Sequence, residues 1–501
     1  MILSGRCLTT AKLIRAGCFL FLLIWLNLLL TISSVQASTY LDIDDETYYI
    51  LNRLEAEGII KSALLSTKPI SRKEVVRLIK EAETNSVGKN QVIEQMVAVL
   101  KKWFKDDLEK TNYIKPVDTF YLKYSFDDSN LQILNYNNDG DKPGKGSNVR
   151  LGLISRAESK WFSVYVNPEF RYSEQFTDVK VKKVYGVLSL FGLDLMAGKD
   201  SQWWGPGYHG SILLSNNSEP LEFVRLTNPE PVVLPWIFKY IGPIRAAFFA
   251  GRLEKNRSDF SEPILWGLNV NFKPVSYLEL GLERTAIMGG KGRSESLATW
   301  WRSFTGVGEN DGRESGDQRA GYYAKLTLPF KWQPVQFYVE ADGEDQRNSF
   351  PSKWAYLAGI YLPKIAGLER FDLRGEFSTN HIGEYPNVWY SHHIYTQGYT
   401  YKGRIIGHHM GSDSKDIFVE ASYLIPGSYG RISLSYDREE HNTSLAVREK
   451  KDEIELKGII QLVKGLELKA MYGFGSVKNV GNVPSDRQLI NIFAAELMYR
   501  F

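Results

Sequence analysis

The chain has 501 residues, 43% hydrophobic and 24% charged, with 28 Tyr, 25 Phe, 42 Gly and 2 Cys. A formal net charge of +3 carries no basic excess of the kind nucleic-acid binders use. Both cysteines, Cys7 and Cys18, lie near the amino terminus, which excludes disulfides and thiolate chemistry from everything after them.

Arg6, Lys12 and Arg15 precede an apolar run from about Ala16 to Ile32, and Val35-Gln36-Ala37 is a small-residue cleavage pattern. The expectation is an export signal over residues 1–37, removed before Ser38. A retained anchor competes, because the run approaches the ~20 residues that span a bilayer. The cleavage pattern favours removal. Loss of the leader takes Lys+Arg from 61 to 58, level with Asp+Glu at 58. No apolar run of membrane-helix length follows, and abundant Tyr, Phe and Gly suit a membrane barrel better than a helical transporter.

Residues 38–115 carry helical periodicity. Tyr48, Leu51, Leu54 and Ala56 share a face within Asp44–Ile60, with Gly58 near its end. Ser71 followed by Glu74 is a capping-box pattern opening Arg72–Glu83, with Val75, Leu78, Ile79 and Ala82 on one side. Lys89–Lys110 repeats the theme through Ile93, Met96, Val97, Leu100 and Phe104. A small periplasmic helical region is expected.

From Val117 onward, strand-like runs are joined by alternately short and long connections. Pro363–Glu369, Pro426–Tyr429 and Lys464-Gly465 are short; Tyr136–Ser147, Glu439–Lys451 and Ser476–Arg487 are longer and polar. Outer-membrane barrels have short periplasmic turns and longer outer loops. One predicted hairpin sets Ile454, Leu456, Gly458, Ile460 and Leu462 beside Leu466, Leu468, Ala470, Tyr472 and Phe474. With both ends of the chain on the periplasmic side the strand number is even, and the spacing gives about 18, within 16 to 20. That count needs a strand near Val232–Tyr240, despite Pro235, and one long strand over Asp118–Asn135. The fold class expected is mainly β: a transmembrane antiparallel outer-membrane β-barrel over residues 116–501.

Three connections are far longer, near 200–231, 286–319 and 379–415. Loops of that length are functional or disordered. The first holds Trp203, Trp204, Gly205, Tyr208, Asn216, Asn217 and Arg225; the second Trp300 and Trp301; the third Trp389, Tyr390, His392, His393, Tyr395, Tyr399, Tyr401 and Arg404. Aromatic faces with nearby hydrogen-bonding groups match the apolar C–H faces and hydroxyl rims of sugar rings. The competing reading is structural: Trp300-Trp301 as an aromatic girdle, and the Trp203-Trp204 loop as a plug for the lumen.

The chain closes on an alternating strand. Phe501, Tyr499, Leu497, Ala495 and Phe493 share one face; Arg500, Met498, Glu496 and Ala494 share the other. Terminal Phe501 resembles the carboxy-terminal signal that barrel-assembly machinery recognises.

The Trp203–Gly207 stretch, the run Ser211 to Asn217, then Pro220 and Arg225, resemble the hallmark of the capsule assembly protein Wzi family. His392–Gly411 is similar to the same family's late segment, and the likeness covers essentially the whole chain. The resemblance implies an 18-stranded outer-membrane lectin with a helical periplasmic part, holding capsular polysaccharide at the cell surface. It transfers no binding map, so the candidate polysaccharide contacts rest on chemistry: Trp203, Trp204, Tyr208, Asn216, Asn217, Arg225, Trp389, Tyr390, His392, His393, Tyr395, Tyr399, Tyr401 and Arg404. Expected partners are capsular or extracellular polysaccharide, outer-membrane lipid and barrel-assembly machinery, with no nucleic acid, for a monomer without cofactors. No metal is expected, because adjacent histidines on an extended chain point apart and no carboxylate cluster accompanies His392, His393, His408 and His409. The rival functions are a porin and a polysaccharide-modifying barrel enzyme. Glu219, Glu222, Glu309, Asp311 and Glu384 are available carboxylates, but nothing fixes a pair among them.

Overall fold

The computed structural model describes residues 36–110, 112–129, 137–306, 316–347, 350–383, 385–386, 388–427 and 429–501. The expected leader lies outside the described residues apart from Gln36 and Ala37. Eighteen antiparallel strands close into a barrel, the number the spacing predicts. Closure joins the first strand, Tyr113–Asp127, to the last, Arg487–Arg500, in the register Phe120 to Tyr499, Leu122 to Leu497 and Phe126 to Phe493. All six of those side chains face outward and are exposed, while Tyr121 and Ala494 point inward and are buried. A period of two therefore separates an apolar outer wall from a filled lumen. The hairpin after Glu449–Val463 has the predicted pairing, Ile454 opposite Phe474 and Leu456 opposite Tyr472.

One rim carries the short turns. At Phe191-Gly192 both residues have positive φ (54° and 78°), the geometry of a two-residue hairpin whose twist matches its strands. Trp161, Phe191, Trp236, Tyr277, Trp332 and Phe501 project outward around this rim as an aromatic belt.

One strand is displaced from its expected position. No strand runs through Val232–Tyr240: Val232–Val233 pairs briefly with Pro243-Ile244, and Trp236–Ile241 is a 3-10 helix after Pro235. The wall strand is Leu221–Thr227, paired on both sides. Its alternation decides the matter, with Leu221, Phe223 and Arg225 buried inside and Val224 exposed outside.

Among the described residues, four helices, α1 (Thr47–Ala56), α2 (Arg72–Ser86), α3 (Gln91–Trp103) and α4 (Lys105–Glu109), precede the barrel. Ser71 caps α2, its Oγ accepting from the Glu74 N–H at 3.0 Å, but the Glu74 carboxylate turns to Arg77 rather than back to the cap. Gly58, at φ 73°, ends α1, and a Cβ there would meet Pro329 of the wall at 2.8 Å. Leu51, Leu54, Val75, Ile79, Met96 and Leu100 form one core that also takes in Leu424 and Tyr429 from the barrel.

The polar side of α1 enters the short-turn mouth. Glu55 accepts from Lys273 (2.5 Å) and Lys325 (2.8 Å), Glu46 from both forks of Arg431 (2.8 and 3.0 Å), and Arg53 pairs with Asp372 (3.2 Å). Further in, Thr67 and Lys68 pair as a short antiparallel bridge with Trp204 and Trp203. The amino-terminal segment and the first long connection thus meet inside the barrel.

Phe501 lies just beyond the last strand; its N–H donates to the Asp118 carbonyl at 3.0 Å and its ring is 64% exposed, edge-on to Tyr499. Phe501→Ala removes little packing. We expect the melting temperature of the purified barrel to be nearly unchanged while the heat-modifiable species in outer membranes falls. Equal amounts of folded barrel from both chains would remove any assembly role for the ring.

Candidate functional site

At the opposite rim, the first and third long connections turn inward and build a lid. In the first, Trp204 is fully buried, edge-on to Phe249 at 5.4 Å, with its main-chain N–H donating to the Leu214 carbonyl. The wall makes room at Gly267, where a Cβ would lie 2.6 Å from the Trp204 ring. Gly205 follows at φ 107°, and a Cβ there would press on the Glu340 carboxylate. The next residues form a backbone nest: the N–H groups of Tyr208 (2.8 Å), His209 (3.1 Å) and Gly210 (3.0 Å) converge on Glu376. Glu340 takes the N–H of Ile212 at 2.6 Å. Wall carboxylates therefore pin the Trp–Trp–Gly–Pro–Gly loop by its main chain.

In the third connection, Tyr390 is the joint between loops. Its hydroxyl donates to the Ile212 carbonyl (2.7 Å) and accepts the His408 N–H (3.0 Å). Trp389 donates to the Lys353 carbonyl, Tyr395 to the Gly289 carbonyl and Tyr399 to Thr285, each by a side chain otherwise packed in the core. Arg319 lies 4.2 Å from the centre of the Tyr399 ring and Lys68 5.0 Å from that of Trp203. Burial, then the charges of Arg374 and Lys325, push the Lys68 amine down to about 8.

The candidate residues are thereby divided by exposure. Trp203, Trp204, Trp389, Tyr390, Tyr395, Tyr399 and Tyr401 are buried in the lid. So are Asn216 and Asn217, which donate to the carbonyls of Asn137 and Ile405; Arg225 is buried on the inner side of its wall strand, over Tyr40. Tyr208 is half-buried and donates to Glu420. His393 is exposed; His392 and Arg404 are half-buried near the surface, Arg404 donating to the Asp141 carbonyl at 2.9 Å.

The helical part of the second long connection lies outside the lumen. Trp300 and Trp301 sit in a helix, α5 (Leu297–Thr305), capped by Ser296. Trp300 and Phe304 cover Trp266, whose indole N–H donates to Ser303 at 2.9 Å. Trp266 alternates with inward-facing Leu265 and Gly267, so α5 lies on the outer wall.

Two groups on the lid carry charge chemistry that composition alone does not reveal. At the surface, Glu219 pairs with Lys180 (2.6 Å) and Lys402 (3.1 Å), and Lys142 donates to the Lys402 carbonyl. Against burial, which raises it, the two lysines hold the Glu219 carboxyl below its ordinary value. Deeper, the rings of His209, His408 and His409 gather beside Asp416 and Asp437. His209 stacks on Phe418 at 4.0 Å and meets His409 edge-on at 4.6 Å. Burial, followed by the neighbouring imidazoles, pushes His408 and His409 well below the ordinary histidine value, so both are neutral. The two sequence grounds against a metal do not apply here: the chain turns at His408-His409, bringing the rings within 4.5 Å, and strands of the wall supply carboxylates. His392 and His393 join no such group among the described residues.

Of the carboxylates available for a glycosidase pair, Glu219 is engaged by lysines and Glu222 faces the outer wall. Glu309, Asp311 and Glu384 lie outside the described residues.

Residues 121–489 match the capsule assembly protein Wzi family. A Klebsiella pneumoniae protein, described as an uncharacterized 55.8 kDa protein in the cps region, is 27% identical over 322 residues. That alignment spans 61% of this chain and 58% of the relative, short of two thirds of its length. Among solved structures, the Escherichia coli protein Wzi superposes with a TM-score of 0.75 at 21% identity, covering 93% of this chain and 100% of that one. It is described as an outer-membrane, carbohydrate-binding β-barrel involved in group 1 capsule assembly.

Proposed function

Because the chain belongs to the capsule assembly protein Wzi family, we propose that it is an outer-membrane barrel that holds capsular or extracellular polysaccharide at the bacterial cell surface. The short-turn rim and the helical region face the periplasm, and the lid faces outward, in keeping with the short inner turns and long outer loops of such barrels. The observation that carries this reading is the lid itself. Long connections packed on buried aromatics and pinned to wall carboxylates make a rigid outer surface, whereas a porin needs an open lumen. Binding rather than turnover is the role assigned, since Glu219 is held between Lys180 and Lys402 rather than free to act as an acid or nucleophile.

Within this reading, polymer contacts fall on the exposed Lys142, Lys402 and His393 of the lid, with the half-buried Lys180, Arg404 and His392 beside them. The buried rings and Asn216, Asn217 and Arg225 act by holding those groups in place. Lipid covers the outer wall, the barrel-assembly machinery inserts a monomer, and no nucleic acid takes part.

Deleting the gene is expected to leave total polymer unchanged and shift it from the cell-bound to the free fraction. A fall in both fractions together would put the protein in synthesis or export instead. Lys142→Glu with Lys402→Glu tests the surface. Both side chains are exposed, so stability should change by no more than about 0.5 kcal/mol. Bound polymer per folded barrel should drop severalfold, and unchanged retention would move the contact surface elsewhere.

A further inference from the structure

We propose that His209, His408, His409 and Asp416 bind one divalent transition-metal ion of the zinc class, which clamps the two inward-folded connections to the barrel wall. The Nε2 atoms of His409, His209 and His408 lie 3.3, 3.8 and 3.9 Å from a single oxygen, Asp416 Oδ2. The two longer separations exceed a hydrogen bond. The His409 separation matches the edge of a coordination tetrahedron with bonds of about 2.0–2.1 Å, roughly 3.3 Å, and the other two are about half an ångström longer; His408 and His409 group with Asp416, and His209 and His409 with Asp437, so an ion would have to draw His209 and His408 together around the shared His409. Asp437 is next in line, its Oδ1 3.6 Å from His209 Nε2, as a fifth ligand or a balancing charge.

Burial makes the convergence meaningful. His408 Nε2 is enclosed with no hydrogen-bond partner among the described residues, and the Asp416 carboxylate beside it is buried. Buried polar atoms in that condition carry a desolvation cost that a cation removes. Lys451 serves Asp437, Glu439 and Glu453 at 2.7–3.3 Å, so those acids have a cation, whereas Asp416 faces the imidazoles of His209, His408 and His409. Imidazole nitrogens with a carboxylate suit zinc and its neighbours; magnesium and calcium select oxygen donors, and soft ions select thiolates. Four protein ligands make a closed, structural site. His209 comes from the first long connection, His408 and His409 from the third, and Asp416 from the wall strand Lys415–Leu424. The ion would tie together chain segments that also meet through Tyr390, Ser215 and Asn217.

The test uses the full-length chain purified without a histidine tag, and its readout does not depend on the polysaccharide role. After metal-free dialysis, titration with Zn2+ should give one ion per chain and an upward shift in Tm that EDTA reverses, with no response to Mg2+. Cobalt(II) should give the intense visible absorption of a four-coordinate site. His209→Gln and Asp416→Asn should each weaken zinc by at least about tenfold, in barrels shown to be folded by heat modifiability, whereas His393→Gln leaves it unchanged. His209→Gln alters a loop residue, so it reports on the site even if the wall variant folds poorly. The proposal is overturned if the native chain binds no zinc at micromolar free ion. It is equally overturned if binding follows His392 and His393, which would make it adventitious surface chelation.

Discussion

Trp204→Ala should convert a closed barrel into a conducting one. The indole is enclosed by Leu214 of its own loop, Phe249 of the wall, and the space left by Gly267. Truncating a fully buried Trp costs about 3–5 kcal/mol, through lost burial and the cavity left behind. That loss falls on the lid, because Trp204 contributes to short bridges with Thr67 and Leu214 and not to the wall ladder. The eighteen-strand wall keeps its hydrogen bonds, so a heat-modifiable barrel should still reach the membrane. In planar bilayers the native chain is expected to show no steady large conductance and the variant to show it, with polymer retention per barrel falling in parallel. A variant that stays closed, with unchanged melting, would mean that the ring is dispensable to the lid.

The second large effect is expected at the other mouth. Glu55 is buried and shared by Lys273 and Lys325. Glu55→Ala leaves Lys325 its bond to Glu279 at 2.9 Å but removes the carboxylate that pairs with Lys273 at 2.5 Å, in a buried position. Breaking a buried pair by removing one partner costs about 3–5 kcal/mol. The helix α1 should then loosen from the barrel while its apolar side still packs on α2 and α3. Limited proteolysis or hydrogen exchange should show faster opening over residues 47–56, with the barrel strands protected as before. Unchanged protection of α1 would show that the apolar core alone anchors the helical region.

These two mouths also show where sequence reading ran out. The last strand could be read directly, because one face per residue pair is a local rule and Phe493 to Phe501 obey it without interruption. Ser71 was legible as a cap for the same reason: it needs only the N–H three residues on. The strand Leu221–Thr227 was hidden inside a long polar connection, because Arg225 faces an interior that only the folded chain makes polar. The aromatic-rich loops were legible as special, yet their rings point inward. Nothing local distinguishes a Trp that stacks on sugar from one that stacks on Phe249, 45 residues away in sequence by their numbering.

What the sequence determined by itself is therefore what depends on neighbours along the chain: alternation, hence strands and an apolar outer wall; turn residues, hence hairpins; helix caps, hence the amino-terminal helices. Strand number followed, since closure with short turns on one side leaves few alternatives. The tertiary structure alone decided what fills the lumen. Glu376 gathers N–H groups from residues 166 to 168 positions distant, and His209 meets Asp416 and His409 only after two loops fold into a closed wall. Such partners leave no local trace, because each is selected by where the barrel's circumference brings its strands rather than by which residues stand beside it in the chain.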